Sequence, residues 1–137
     1  MVALTAEVRE LLERRNFGHV ATVLPDGGPH TVPVWVDVEG ERIVFFTQSG
    51  TRKARNLERD GRIALSLVDG VNPYRTAQIR GRVVEKRTGD PAEVVIERIA
   101  RKFTGEPFPW RSPNSVVYVV EAERVRFTEL PFVHRPA

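Results

Sequence analysis

The chain has no cysteine, which removes disulfides, thiolate metal ligands and cysteine nucleophiles at once. Histidine is scarce: His19, His30 and His134 are scattered along the sequence and form no recognisable metal-ligating constellation. No Ser-His-Asp set and no paired carboxylates stand out either. Long apolar runs are missing, and the longest extends only a few residues, too short for a transmembrane helix. The opening Met1-Val2-Ala3-Leu4-Thr5-Ala6-Glu7 lacks the basic-then-apolar layout of a signal peptide, so the expected compartment is the cytoplasm. Charge of one sign is also in short supply. The 21 Lys and Arg against 18 Asp and Glu leave +3, a surplus too small to hold a nucleic-acid backbone, although a local patch can bind a small polyanion.

What is present is the composition of an ordinary folded domain. With 137 residues, 41% of them hydrophobic and 28% charged, the chain is long enough for one core and short for two, and a single domain over residues 1–137 is expected. There is no internal repeat and no low-complexity linker.

Turn signals at short intervals divide the chain into strands. Phe17 to Leu24 is β-rich and stops at Pro25-Asp26-Gly27-Gly28, a tight reversal. The returning stretch Pro29 to Val38 alternates, with Val32, Val34, Val36 and Val38 on one side and Thr31, Pro33, Trp35 and Asp37 on the other. Glu39-Gly40 turns the chain into Arg42 to Thr47. Further strands are expected at Arg62 to Val68, at Tyr74 to Lys86 and, as one long or bent segment, at Ser115 to Val120 and Glu123 to Thr128. Within Tyr74 to Lys86, Gln78, Arg80 and Arg82 share one face, and Gly81 on the other suggests a bulge or a close backbone approach.

Three helices are expected between these strands. Thr5 to Arg15 carries Val8, Leu11 and Leu12 at helical spacing behind Thr5 as N-cap. A short helix follows Thr51 and ends near Asp60-Gly61. A third runs from Pro91 to about Lys102, with Asp90 as its cap and Val94, Val95, Ile99 and Phe103 as its apolar stripe. The three prolines of Thr104 to Pro113 exclude regular structure and leave a semi-rigid loop bearing Phe108 and Trp110. About six strands in meander connections with inserted helices point to a mainly β protein, a six-stranded antiparallel barrel with flanking helices.

The chemistry concentrates in Ser49-Gly50-Thr51-Arg52-Lys53-Ala54-Arg55-Asn56-Leu57. A strand runs here into a helix through a polar turn, and the unpaired N–H groups of a helix start favour an anion. Arg52, Lys53 and Arg55 add cations, Asn56 an amide, and Ser49 and Thr51 hydroxyls. The opposing reading is a solvated face neutralised by Glu58 and Asp60.

The order of these parts resembles the pyridoxamine 5'-phosphate oxidase-like, FMN-binding split β-barrel superfamily, and within it the flavin/deazaflavin oxidoreductases that use coenzyme F420. The resemblance covers nearly the whole chain. It rests on Phe17-Gly18-His19-Val20-Ala21-Thr22-Val23, on Pro25-Asp26-Gly27-Gly28-Pro29-His30-Thr31-Val32-Pro33-Val34-Trp35, and above all on Lys53-Ala54-Arg55-Asn56-Leu57 followed by Arg59-Asp60 and Arg62-Ile63-Ala64-Leu65.

The resemblance implies a homodimer with the cofactor at the subunit interface. It implies that Ser49, Arg52, Lys53 and Asn56 hold the phosphate, that His30, Thr31, Val32 and Pro33 line one face of the ring system, and that Phe46 and Thr47 lie beside it. Tyr74, Arg75, Gln78, Arg80 and Trp110 are the candidates offered across the interface. Trp35 and Trp110 read as core or interface anchors ahead of ring-stacking groups, while Arg80 and Arg82 serve equally as members of cross-strand pairs and His30 as an exposed structural residue at a strand start.

The implied activity is hydride transfer from reduced F420 to a conjugated small molecule such as a tetrapyrrole, quinone or enone, chemistry that the cofactor performs and the protein positions. FMN in place of F420 is the alternative, and Arg55 and Arg59 favour the longer F420 tail if they face the same groove as the phosphate site. A non-catalytic carrier of flavin, F420 or haem is the reading from another class. No nucleic acid and no membrane partner is expected.

Overall fold

A computed structural model describes residues 1–137. Its strands are β1 (Phe17–Val23), β2 (Pro29–Glu39), β3 (Arg42–Gln48), β4 (Arg62–Val68), β5 (Arg75–Arg87) and β6 (Ser115–Glu129). They close into one antiparallel barrel in the order β1-β2-β3-β6-β5-β4, which meets the expectation of six strands. The helices α1 (Ala6–Glu13), α2 (Arg52–Arg59) and α3 (Gly89–Thr104) fall at the start, after β3 and after β5, as expected. The first three strands form a meander, α2 carries the chain across to β4 and β5, and β6 returns between β3 and β5. Closure pairs every strand on both sides.

One pairing is incomplete, and it positions the site. β2 meets β3 only where Val36 to Glu39 oppose Arg42 to Phe45, whereas β2 begins seven residues earlier, at Pro29. The first half of β2 and the end of β3 therefore diverge and leave an opening in the wall. Pro33, with no N–H to give to a ladder, sits in this stretch.

The barrel is filled by the inward side of each strand. Val34 and Val36 are buried as the alternation demanded, with Val32 and Val38 packed against the same cluster. Helix α1 plugs the end near the β2–β3 turn with Val8, Leu11 and Leu12; Thr5 caps it by accepting from the Val8 N–H at 3.3 Å. Helix α2 plugs the opposite end with Ala54 and Leu57.

Helix α3 lies outside the barrel on β3 and β6, over a second apolar cluster that includes Val44, Val117 and Val119. The buried stripe of α3 is Ala92, Val95, Ile96, Ile99 and Ala100. This corrects two expectations. Val94 is 70% exposed, because it lies about 100° round the helix from the residues that touch the sheet. Thr88 rather than Asp90 stands at the N-cap, and its side chain makes no capping bond. Beneath the last turns of α3, buried Asp37 is paired with Lys102 at 3.5 Å and Arg98 at 3.4 Å.

Gly81 lies where the β5–β6 register shifts, and a Cβ there would press on the carbonyl oxygen of Glu121 and on Val120. Both the bulge and the close approach expected at this position are present. Gly81→Ala is predicted to cost about 1–3 kcal/mol, read as a lower urea midpoint with an unchanged slope.

Carboxylates held by arginines tie the fold to pH, Glu39, Asp69 and Asp60 among them. Hydrogen bonds from Arg87 hold Glu39 below the ordinary glutamate value of 4.5. Burial raises the Asp69 carboxyl, but the N–H groups of Val71 and Asn72 and the Arg75 guanidinium outweigh it and leave the net direction downward. Arg62 holds Asp60 at about 2. Folded-state values below the unfolded ones mean stability that is present above the unfolded pKa and is lost as pH falls through the folded one. Urea midpoints are therefore expected to fall as pH drops from 4.5 toward about 2. Asp69→Asn is expected to lower the neutral-pH midpoint and flatten that dependence.

Candidate functional site

The site begins where β3 becomes α2. Gly50, at φ 87°, reverses the chain with a backbone that a side chain would strain. Thr51 then starts the helix: its Oγ1 accepts from the Ala54 N–H at 3.4 Å and donates to the Gln48 carbonyl at 2.9 Å. Thr47 Oγ1 shares a 3.2 Å hydrogen bond with it. The end of β3 and the first turn of α2 are thus one hydrogen-bonded unit. The N–H groups of Arg52 and Lys53 are left without intrahelical acceptors, at the positive end of the helix dipole.

The neighbouring acids do not neutralise this turn. Glu58 pairs with Lys86 of β5, and Asp60 pairs with Arg62 at 2.7 Å. Arg52, Lys53 and Arg55 have no carboxylate within 4.0 Å. Lys53 is half-buried, and this burial lowers its pKa from the usual lysine value. A cation partly withdrawn from water with no counter-charge is stabilised by any anion that reaches it.

Lys53 borders a cavity of about 300 Å³ at the opening between β2 and β3, whose other walls include Phe17, Pro33, Trp35, Phe46 and Phe108. The rings form a continuous series. Phe17 meets Phe103 edge-on at 5.7 Å, Phe103 stacks on Trp35 at 5.2 Å, Trp35 meets Phe46 at 6.3 Å, and Phe46 meets Phe108 at 5.2 Å. Such a wall offers flat apolar contact to a planar ring, with one charge at its edge.

The residues singled out in the sequence separate into groups. Lys53, Pro33 and Phe46 meet at this cavity. Ser49 lies on the other flank of α2, in a second hollow with Arg55 and Arg59, and its N–H is taken by the Asn114 carbonyl at 2.7 Å. Arg52 stands half-exposed at the first turn. Thr47 is buried in the Thr51 link. Thr31 and Gln78 line a groove on the outer face of the sheet.

Two further side chains are not on the outer surface. Strand alternation turns Val32 toward the barrel core. Asn56 is fully buried, its amide donating to Thr22 Oγ1 at 3.0 Å, because it falls on the face of α2 that seals the barrel. His30 pairs with Thr22 across β1 and β2 and keeps its Nδ1 shielded from solvent with no partner, the kind of orphaned polar atom that a bound group satisfies. Trp110 is 73% exposed and touches the ring series only at its end, 5.6 Å from Phe108. Phe17 and Phe108 were not among the expected site residues. The presence of two aromatics in the Pro-rich loop was the available signal for Phe108.

The family model for pyridoxamine 5'-phosphate oxidase matches residues 4–129. The chain belongs to that family. Among curated relatives, the F420H2-dependent biliverdin reductase of Mycobacterium tuberculosis (strain CDC 1551 / Oshkosh) is 28% identical over 124 residues, covering 89% of this chain and 86% of the relative. The pyridoxine/pyridoxamine 5'-phosphate oxidase of Rubrobacter xylanophilus is 31% identical over 149 residues, covering 88% of this chain and 68% of the relative. Among solved structures, an F420 reductase superposes with a TM-score of 0.78 at 31% identity, covering 86% of this chain and 94% of that one. The family's split barrel is the fold described above, and the two curated relatives are oxidoreductases by name. No helix is long and apolar enough to cross a membrane.

Asn56 and Thr51 act on the site through the helix they hold. Asn56→Ala, which leaves the Thr22 hydroxyl without its buried partner, is predicted to cost about 1–3 kcal/mol; Thr51→Ala removes the cap for about 1 kcal/mol. Both are read by thermal or urea unfolding.

Proposed function

We propose that the chain is an oxidoreductase that binds reduced F420 in the opening between β2 and β3 and delivers hydride to a conjugated small molecule of the tetrapyrrole, quinone or enone class. The observation that carries this reading is Lys53, a half-buried cation with no carboxylate partner, at the edge of an aromatic-walled cavity. Its relatives include an F420H2-dependent biliverdin reductase and an F420 reductase. A cytoplasmic homodimer that completes the site from a second copy belongs to the same proposal.

Lys53 and Arg52, with the free N–H groups of the first turn of α2, would hold the cofactor phosphate. Pro33 and Phe46 would bear on the ring system, and Phe108 would shield it from water. Bound there, reduced F420 would supply the hydride, and the proton that completes reduction would come from solvent reaching the substrate side. The protein then needs no nucleophile of its own, only placement and exclusion of water.

One observation favours FMN instead. Arg55 and Arg59 face the hollow on the far flank of α2 rather than the aromatic cavity, and the Arg59 guanidinium is engaged with the carbonyl of Val23. They therefore extend no cationic track from Lys53 along which a long anionic tail would run.

Parallel titration of the purified protein with F420 and FMN, followed by ring fluorescence, separates the two. Tighter F420 binding that weakens about 10- to 100-fold in Lys53→Ala, the loss expected for a charged hydrogen bond, is the predicted outcome. A preference for FMN, or indifference to the substitution, overturns the reading.

A further inference from the structure

Helix α3 covers only part of the barrel, and the outer face of β1, β4, β5 and the second half of β6 stays bare. An open groove of about 780 Å³ runs across it. Its floor is made of small residues such as Ala21 and Ala64, and its wall carries Arg80, Arg124 and Arg126. Arg80 and Arg124 are direct partners in the β5–β6 ladder, and Arg126 stands opposite Gln78. All three arginines are exposed.

Three other arginines on the same strands are paired, and Arg82 of β5, which does not line the groove, is not. Arg75 and Arg87, at the two ends of β5, are paired with Asp69 and with Glu39 and Glu85, and Arg62 of β4 with Asp60. Arg80, Arg124 and Arg126 form no ion pair at all. Like charges placed directly opposite on neighbouring strands destabilise a sheet, and a guanidinium has no route to relief by losing its proton. An anion lying between them removes the repulsion, and the planar fork takes a carboxylate through two parallel hydrogen bonds. Arg124 and Arg126 rise from positions two residues apart on one strand, roughly 7 Å, a spacing that suits two separate acid groups.

The groove adjoins the aromatic cavity. Thr31, in the groove, and Pro33, in the cavity, are successive outward residues of β2; His19, in the groove, and Phe17, in the cavity, are successive outward residues of β1; and His19 sits directly opposite Pro33. A ligand spanning both would place a flat conjugated part on aromatic rings and acidic arms on guanidinium groups.

We propose that Arg80, Arg124 and Arg126 are the acid-recognising part of the substrate site, and that the substrate is a conjugated ring compound carrying at least two carboxylates. This rests on the reading of the neighbouring cavity as the redox site. The carboxylate-rich tail of F420 offers the same chemistry as an acidic substrate, and the test separates the two sources.

Biliverdin and its dimethyl ester serve as probes, differing only in whether the two carboxylates are free. Binding to the protein without added cofactor is followed by visible absorption, beside F420 binding by fluorescence and the oligomeric state by light scattering. The expected result is that wild type binds biliverdin at least about tenfold more tightly than the ester, and that the double variant Arg124→Gln, Arg126→Gln loses this difference. F420 affinity and oligomeric state stay unchanged in that variant.

Equal or absent binding of the two probes to wild type overturns the inference. So does a variant in which F420 affinity falls while biliverdin binding holds, which assigns the groove to the cofactor tail, or one in which the oligomer dissociates, which makes the face an interface between copies. Failure of wild type to bind F420 tells instead against the redox reading of the cavity.

Discussion

The structure turns on a hydrogen-bond ladder that stops early. β2 and β3 pair only from Val36 against Phe45 outward to their turn, and beyond that point the strands part. A closed barrel has no edge to offer; here one wall is opened locally, and Pro33 stands where a further ladder would have to form. The opening is lined by aromatic residues because outward positions of β1, β2 and β3 meet there with Phe108 of the loop after α3. The Thr47, Thr51 and Gln48 hydrogen bonds then fix α2 to the end of β3, so the first turn of the helix cannot move independently of the wall it borders.

Electrostatics follow from which charges are already satisfied. Glu58 and Asp60, the two acids nearest the cationic turn in sequence, are turned to Lys86 and Arg62. Lys53 stands in a partly desolvated place without an acidic partner, an arrangement that an arriving anion stabilises. The outer sheet repeats the pattern with Arg80 facing Arg124. Both clusters gather along one continuous surface, while the paired arginines lie at the strand ends.

Much of the fold was legible because period-two alternation, turn residues and caps report local geometry. Val34 and Val36 went inside and Gln78 and Arg80 outside, as their spacing required, and Gly81 marked a bulge because no Cβ fits beside the Glu121 carbonyl. The helix boundaries were less legible. At the start of α3, Asp90-Pro91 resembles a cap, yet the helix begins at Gly89, since packing on β3 and β6 decides the register. The candidate site was only half legible. The letters around Lys53 mark a cationic turn, but whether Glu58 neutralises it depends on Lys86, 28 residues away. Asn56, which reads as a surface amide, seals the barrel against Thr22. The arginine groove draws on β5 and β6 together, a juxtaposition that pairing creates and a linear reading does not contain.

The proposed function places the ring of a redox cofactor in the gap between β2 and β3, with its phosphate on Lys53. A crystal structure of the protein with F420 bound tests this most directly. Phosphate oxygens are expected within hydrogen-bonding distance of Lys53 Nζ, with the ring lying against Pro33 and Phe46. A cofactor found elsewhere on the barrel, with Lys53 contacting only solvent, would contradict it.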